Sequence, residues 1–235
     1  MTSVVYAYAF LVAPSPEQKV ELEAIEGLQE QIQIITGPTP MAAAVEANID
    51  LDAMKASDTV LLRSALRHDQ VICQLFGHTS VIPLRFGTGF VSTDKLQDHL
   101  QQQASLYQQT LDSLSGRAEY LLKVFAPAEP DVAPVAAASG TAYLLARRQA
   151  YQNQQAYLQT LEQASQSLAD LWPASWPRQA LDPHGEERSR ITFLLNPEQY
   201  QQAVAQAQNW QQEHEGWRLD WGGGLPPYHF VQGAV

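Results

Sequence analysis

The chain has 235 residues, of which 25 are Asp or Glu and 14 are Lys or Arg, so its formal net charge is -11. Nucleic-acid binding depends on clustered Lys and Arg that neutralise phosphates, so these scattered basic residues argue against nucleic acid and against an anionic membrane surface as partners. The single cysteine, Cys73, excludes a disulfide within the chain and is typical of a reducing compartment. We expect a soluble cytoplasmic protein, because there is no signal-peptide pattern and no apolar run near the ~18 residues of a membrane span.

The first 90 residues carry strand and helix signals in the order strand, helix, strand, strand, helix, strand. The opening run is continuously apolar, as in a strand buried on both faces. Ser15 and Pro16 are typical of a helix start, and Pro83 predicts an edge strand or an irregular strand. The predicted strands lie at 4–12, 32–35, 42–45 and 81–86, and the predicted helices at 16–28 and 58–77.

A third helix is predicted over residues 94–114. Its apolar side chains fall on one stripe at spacings of four and three residues, which is typical of a helix packed along one face. The stripe consists of Leu96, Leu100, Ala104, Tyr107, Leu111 and Leu114. We interpret this helix as a connector between two halves.

The order of the first half then repeats after an Ala/Pro-rich loop at 126–138. The second set of elements is predicted at 120–125, 141–172, 178–181, 191–195, 196–214 and 217–221. This repetition predicts an α+β fold of two ferredoxin-like (split βαβ) units joined by a helix. The expected domains are 1–90, the connecting helix 91–118, and 119–235 with an aromatic tail.

The sequence shows no pattern that carries catalysis. His68 and His78 stand ten residues apart without an H-x-x-x-H or H-E-x-x-H pair, so we expect no metal site. The stretch at 86–90 lacks the third glycine of a dinucleotide fingerprint and the lysine of a P-loop, and the stretch at 222–224 precedes no helix. We interpret both as turns, Cys73 as a buried structural thiol, and the chain as a non-enzymatic protein without cofactors.

Two features leave alternatives open. Arg85 sits among apolar neighbours at the end of a predicted strand. It could contact an anion or a partner, or its guanidinium could fix the loop by pairing with a carboxylate or with backbone carbonyls. The tail at 226–231, Pro-Pro-Tyr-His-Phe-Val, could return to add an edge strand, pack on a core, or serve as a docking peptide.

Five segments carry a family resemblance. Residues 81–90 read Val-Ile-Pro-Leu-Arg-Phe-Gly-Thr-Gly-Phe. They are accompanied by the weaker segments 6–8, 116–124, 139–144 and 224–230. In this order the segments resemble the gas vesicle protein F/L family over essentially the whole chain.

Twelve residues of these segments are candidate structural or partner contacts. They are Pro83, Arg85, Phe86, Gly87, Thr88, Phe90, Glu119, Lys123, Pro226, Pro227, Tyr228 and Phe230. Three positions depart from the family pattern: Ala142 replaces a frequent Lys or Arg, Leu225 precedes the prolines, and His229 separates the tail aromatics. These departures bear on the detail of the tail.

The resemblance implies an accessory or minor structural protein of gas vesicles, located at the gas vesicle within the cytoplasm. It implies contacts with the major shell protein and other accessory proteins that support vesicle formation and buoyancy, and it implies no catalytic residues. The stripes at 94–114 and 141–172 are candidate contacts, although domain core is the default for both. The alternative is a small-ligand-binding or regulatory two-domain ferredoxin-like protein, because paired ferredoxin-like units often bind small ligands in a cleft between domains.

Overall fold

The structure, a computed structural model, describes residues 3–129 and 140–231. Most of the predicted Ala/Pro loop, and Ser139 of one family segment, lie outside these residues. The described residues form helices and strands that confirm an α+β protein with two sheets. They also divide into two compact units, which we call unit 1 (up to Glu119 and from Gly224 onward) and unit 2 (from Tyr120 to Gly223).

Unit 1 is built on a sheet in the order β2-β3-β1-β4, with β5 also pairing with β1. The strand pairs are antiparallel. Its elements are β1 (Ser3–Val12), α1 (Pro16–Glu23), β2 (Gln33–Thr36), β3 (Met41–Asp50), a 3₁₀ turn (Ala53–Lys55), α2 (Asp58–His78), β4 (Ile82–Pro83), β5 (Gly89–Phe90) and α3 (Thr93–Leu114).

Strand β1 is buried on both faces, as its continuously apolar sequence predicts. On one face Tyr6 and Tyr8 join a core that includes Leu22 of α1 and Val71 of α2. On the other face Phe10 lies 4.8 Å, centroid to centroid, from the ring of Tyr107 on α3. The sheet of unit 1 is therefore covered by α1 and α2 on one side and by α3 on the other.

Helix α1 ends at Glu23, five residues before the predicted end at 28. The chain turns instead, and an antiparallel bridge joins Glu26 to Gln31. The buried carboxylate of Glu46 accepts hydrogen bonds from the N–H groups of residues 28, 29 and 30 at 2.6–2.7 Å. A charged acceptor from β3 thus replaces the next helical turn, and a long-range contact of this kind leaves no local sequence signal.

Unit 2 has a four-stranded sheet in the order β7-β8-β6-β9. Its core includes an aromatic cluster in which Trp172 lies 5.2 Å from Phe193 and 5.7 Å from Trp221, centroid to centroid. Asn196 and Gln199 form the predicted capping box of the last helix. The elements are β6 (Ala118–Phe125, of which unit 2 holds the part from Tyr120), α4 (Gly140–Ala169), β7 (Arg178–Leu181), β8 (Ser189–Leu195), α5 (Pro197–Glu213) and β9 (Arg218–Trp221).

The packing of two segments differs from the expected division of the chain. Helix α3, expected to connect two halves, packs against β1 and β3 of unit 1. The tail, expected with domain 119–235, belongs to unit 1 from Gly224 onward. The boundaries of independently folding domains stay a prediction.

Candidate protein-interaction surface

The segment 81–90 wraps around β1 as two short strands and a turn. Strand β4 pairs Pro83 with Ala9, and β5 pairs Phe90 with Val5. The predicted strand at 81–86 is therefore irregular, as the proline within it indicates. Between the two short strands, Thr88 donates its N–H and its hydroxyl to the carbonyl of Arg85, at 3.1 and 2.7 Å, and closes the turn.

A buried hydrogen-bond ring fixes this turn from below. The N–H of Gly87 donates to the Tyr6 hydroxyl (3.2 Å), which donates to Nδ1 of His68 (2.8 Å), and Nε2 of His68 donates to the Leu84 carbonyl (3.0 Å). Burial lowers the pKa of His68 and raises the pKa of Tyr6 to about 12, so both stay neutral in the roles that the ring requires. Sequence reasoning considered His68 as a metal ligand and missed this role.

Three of the candidate motif residues have direct structural reasons. Gly87 has φ of 89°, which a side chain would strain. Phe86 packs edge-on against His68, and Phe90 lies 5.4 Å from His99 of α3, centroid to centroid. These residues therefore attach the turn to the core of unit 1.

Arg85 differs from its neighbours. Its side chain is exposed, and within the described residues its guanidinium has no hydrogen bond or ion pair. The loop is fixed by the Arg85 carbonyl, and the guanidinium does not pair with a carboxylate or carbonyl to fix it. Of the two interpretations of Arg85, the one in which its guanidinium fixes the loop is therefore not what the described residues show.

The aromatic tail is clasped to unit 1. Glu119 and Leu225 exchange two backbone hydrogen bonds of 2.9 Å. The buried Glu119 carboxylate accepts from the His229 N–H at 2.9 Å and lies 2.5 Å from the His229 ring nitrogen Nδ1. Pro226 and Pro227 are buried.

Two tail aromatics complete the clasp. Tyr228 packs on the core of unit 1 and donates its hydroxyl to Asp69. Burial, followed by this hydrogen bond, raises the pKa of Tyr228. Phe230 is partly buried, and its N–H donates to the Pro227 carbonyl. The tail therefore packs on a core, and its described part is not a free docking peptide.

Cys73 and Lys123 are two further residues that the sequence singles out. Cys73, expected to be buried, is partly exposed near Asp69, and desolvation raises the pKa of its thiol. Lys123 lies in unit 2, where its ammonium is 4.0 Å from the Glu187 carboxylate. Lys123 is thus part of a different unit from most of the other motif residues.

A depression of about 710 Å³ opens between α2 and residues 26–31 of unit 1. Arg67 lines it, but its guanidinium already donates to the carbonyls of Glu26 and Gly27, both at 3.0 Å. Arg67, one of the polar side chains that line the depression, is thus engaged in holding its wall. Among residues 3–129 and 140–231, no group of three or more His, Cys, Asp or Glu side chains could hold a metal ion.

Residues 141–158 of α4 present large apolar side chains to solvent. Leu144, Leu145 and Leu158 are 65%, 63% and 55% exposed, and Tyr143 and Tyr151 are also exposed. Only the last turns of α4 are core, through residues such as Leu161, Ala164 and Leu168. No described helix is long and apolar enough to cross a membrane. Such a face is typical of protein–protein contact.

Residues 141–158 of α4 also include the adjacent pair Arg147 and Arg148. Both side chains are exposed, and neither has an ion pair within the described residues. In a chain of net charge -11 this is a basic and apolar surface.

Comparisons with known proteins agree with the resemblance seen in the sequence. The family model described as gas vesicle synthesis protein GvpL/GvpF matches residues 4–232. The crystal structure of the gas vesicle protein GvpF from Anabaena sp. PCC7120 matches with a TM-score of 0.70 at 19% identity, covering 98% of this chain and 96% of that chain.

The crystal structure of gas vesicle protein GvpF from Microcystis aeruginosa matches with a TM-score of 0.67 at 16% identity, covering 99% of this chain and 100% of that one. No curated protein sequence matches the chain. At these identities the two crystal structures show a shared fold. Because the family model spans nearly the whole chain, the chain belongs to the gas vesicle synthesis protein GvpL/GvpF family, which confirms the family expected from the sequence and indicates a role connected with gas vesicles.

Proposed function

We propose that this chain is a non-enzymatic accessory or minor structural protein of gas vesicle assembly. It binds the major shell protein and other accessory proteins, and it acts at the gas vesicle within the cytoplasm. The observation that carries the proposal is the exposed apolar and basic face of α4, which consists of Leu144, Arg147, Arg148, Tyr151 and Leu158. We name it the α4 face.

Exposed apolar surface on both partners supports this proposal. A shell protein that will line a gas space presents apolar surface before it is assembled, and such surface aggregates in water. The α4 face can cover part of that surface. The net charge of -11 on the accessory chain would keep the complex dispersed.

We propose two further details for the fold and the motif. Each unit is a ferredoxin-like (split βαβ) fold, which the strand orders β2-β3-β1-β4 and β7-β8-β6-β9 support. The motif residues of unit 1 serve mainly to hold the 81–90 turn and the tail. Arg85 is the exception, because its exposed guanidinium is available for a second contact with a partner.

Co-expression of the chain with the major shell protein tests the proposal. We expect a soluble complex with the native chain, and shell protein in the pellet when the chain is absent. The double variant Leu144→Glu with Leu158→Glu places two carboxylates on the α4 face, and it should leave the shell protein insoluble.

The matched control is Leu62→Glu, on a leucine of α2 that is 62% exposed. This variant should recover the complex as the native chain does. Equal recovery with the double variant would show that the α4 face does not bind the shell protein. Shell protein that stays insoluble with the native chain would contradict the proposed function itself.

A further inference from the structure

The side chains of the α4 face are spaced so that a second copy of α4 can pack along it. Leu144, Tyr151 and Leu158 are seven residues apart, and Arg148 and Gln155 fall between them at spacings of four and three. A stripe with this spacing runs nearly straight along a helix and meets a second helix along its length. We propose that two copies of this chain pair through the α4 face when no shell protein occupies it, as antiparallel helices about a two-fold axis at Tyr151.

In the antiparallel register, leucines of one copy lie level with leucines of the other. With the axis at Tyr151, Leu144 of each copy lies level with Leu158 of the other. Such a contact is self-complementary, because the same patch serves both copies and closes the pair. The exposed part of α4, from Thr141 to Leu158, is about five turns long, which gives each stripe room for its full set of contacts.

The positions of the arginines favour the antiparallel direction over the parallel one. In a parallel pair, Arg147 and Arg148 of one copy would lie level with the same arginines of the other, and like charges at an interface are costly. In the antiparallel pair, Arg148 lies level with Gln154 of the second copy. The repulsion between the arginine pairs is then removed.

The antiparallel register also places the Glu129 carboxylate of one copy near Arg147 of the other. Gln154 donates a hydrogen bond of 3.1 Å to the Glu129 carboxylate within the same chain. Arg147 and Gln154 are seven residues apart and therefore lie on the same flank of α4. In an antiparallel pair this flank meets itself, so Arg147 of each copy faces Gln154 and Glu129 of the other.

The inference concerns the isolated chain, and its test needs no shell protein. Light scattering coupled to gel filtration, over a series of loading concentrations, measures the mass. We expect a mass rising toward twice the 26.0 kDa of the chain as concentration increases. A mass that stays at 26.0 kDa up to ~100 μM would overturn the proposal, since even a weak specific pair forms at that concentration.

Two neighbouring leucines give a matched pair of variants. Leu144→Glu should weaken the pair at least about tenfold, because it places a charge against Leu158. Leu145→Glu should leave the pair intact, since Leu145 is equally exposed but lies about 100° further around the helix. Both side chains are in solvent, so circular dichroism should show that each variant stays folded.

Charge reversal tests the register. Arg147→Glu and Glu129→Arg should each weaken the pair, and the two substitutions together should restore it, because the opposite charges face each other again. A pair that survives Leu144→Glu, or that the combined reversal fails to restore, would overturn the antiparallel arrangement. Restoration would support it, since no contact within one copy joins Arg147 to Glu129 among the described residues.

Discussion

Helices α3 and α4 have the same kind of sequence pattern and opposite surroundings. Both were predicted as long amphipathic helices and as candidate contacts. In α3 the apolar stripe is buried, with Leu96, Leu100, Tyr107, Leu111 and Leu114 at most 2% exposed. In α4 the comparable side chains Leu144, Tyr151 and Leu158 are more than half exposed.

The difference comes from what each helix lies upon. Helix α3 covers β1, a strand that is apolar on both faces and offers Phe10 to the ring of Tyr107. Helix α4 is buried at Leu161, Ala164 and Leu168, whereas the large apolar side chains at 144, 151 and 158 remain exposed. Periodicity therefore locates an apolar stripe but does not say which surface covers it.

The largest effect should come from removing one leucine from each helix. Leu100→Ala leaves a cavity against the sheet of unit 1 and should lower the free energy of unfolding by about 2–5 kcal/mol. Leu144→Ala removes an exposed side chain and should change it by less than about 0.5 kcal/mol. Urea unfolding at a concentration below that of self-association measures both, and equal losses would show that α4 is also core.

The next effect concerns the tail, which was also a candidate contact. Glu119→Gln keeps the size of the side chain but removes the charge that accepts from His229, and it should cost about 1–3 kcal/mol. The matched control is Glu162→Gln on α4, where the side chain is exposed. Similar stabilities for the two variants would mean that the tail is not clasped to unit 1.

The pH dependence of the free energy of unfolding should also distinguish α3 from α4. Burial lowers the pKa of His68 and of His99, the latter on α3, whereas Gly140–Ala169 contains no histidine. The unfolded chain takes up protons near pH 6.5 and the folded chain only at lower pH, so stability is full above about pH 6.5 and falls below it.

Thermal unfolding between pH 7.5 and 5.5 measures this loss. The variant His99→Gln should unfold with a smaller change across the same pH range, since one of the two imidazoles no longer titrates. A change across this range as large as that of the native chain would exclude His99 as a contributor. Leu145→Glu on α4 should keep the native pH profile.

The smallest effect on stability should come from Arg85→Gln. The guanidinium is exposed and has no ion pair within the described chain, so we expect a change below about 0.5 kcal/mol. Gly87→Ala in the same turn should cost about 1–3 kcal/mol, because φ of 89° strains a residue with a side chain. Denaturant midpoints measure the stability of both variants. A large loss of stability with Arg85→Gln would show that the Arg85 side chain makes a structural contact.

Local signals in the sequence predicted much of this fold. The helix start at Ser15 and Pro16, the capping box at Asn196 and the apolar stripe of α3 are each encoded within a few residues, and the structure confirms them. The resemblance carried by residues 81–90 led to the correct family.

Long-range contacts could not be read from the sequence in the same way. Glu46 holds residues 28–30, and His68 holds the 81–90 turn, through partners at least 16 residues away. The exposure of Leu144 and Leu158 likewise depends on how far the rest of unit 2 extends over α4. The exposure of the α4 face could therefore not be predicted from the sequence, whereas the family could.

Hydrogen–deuterium exchange of the chain, alone at low concentration and in complex with the major shell protein, tests the α4 face most directly. The account predicts fast exchange in residues 140–158 of the free chain, slowed exchange there in the complex, and slow exchange of α3 in both. Exchange in residues 140–158 that does not change when the complex forms would contradict it.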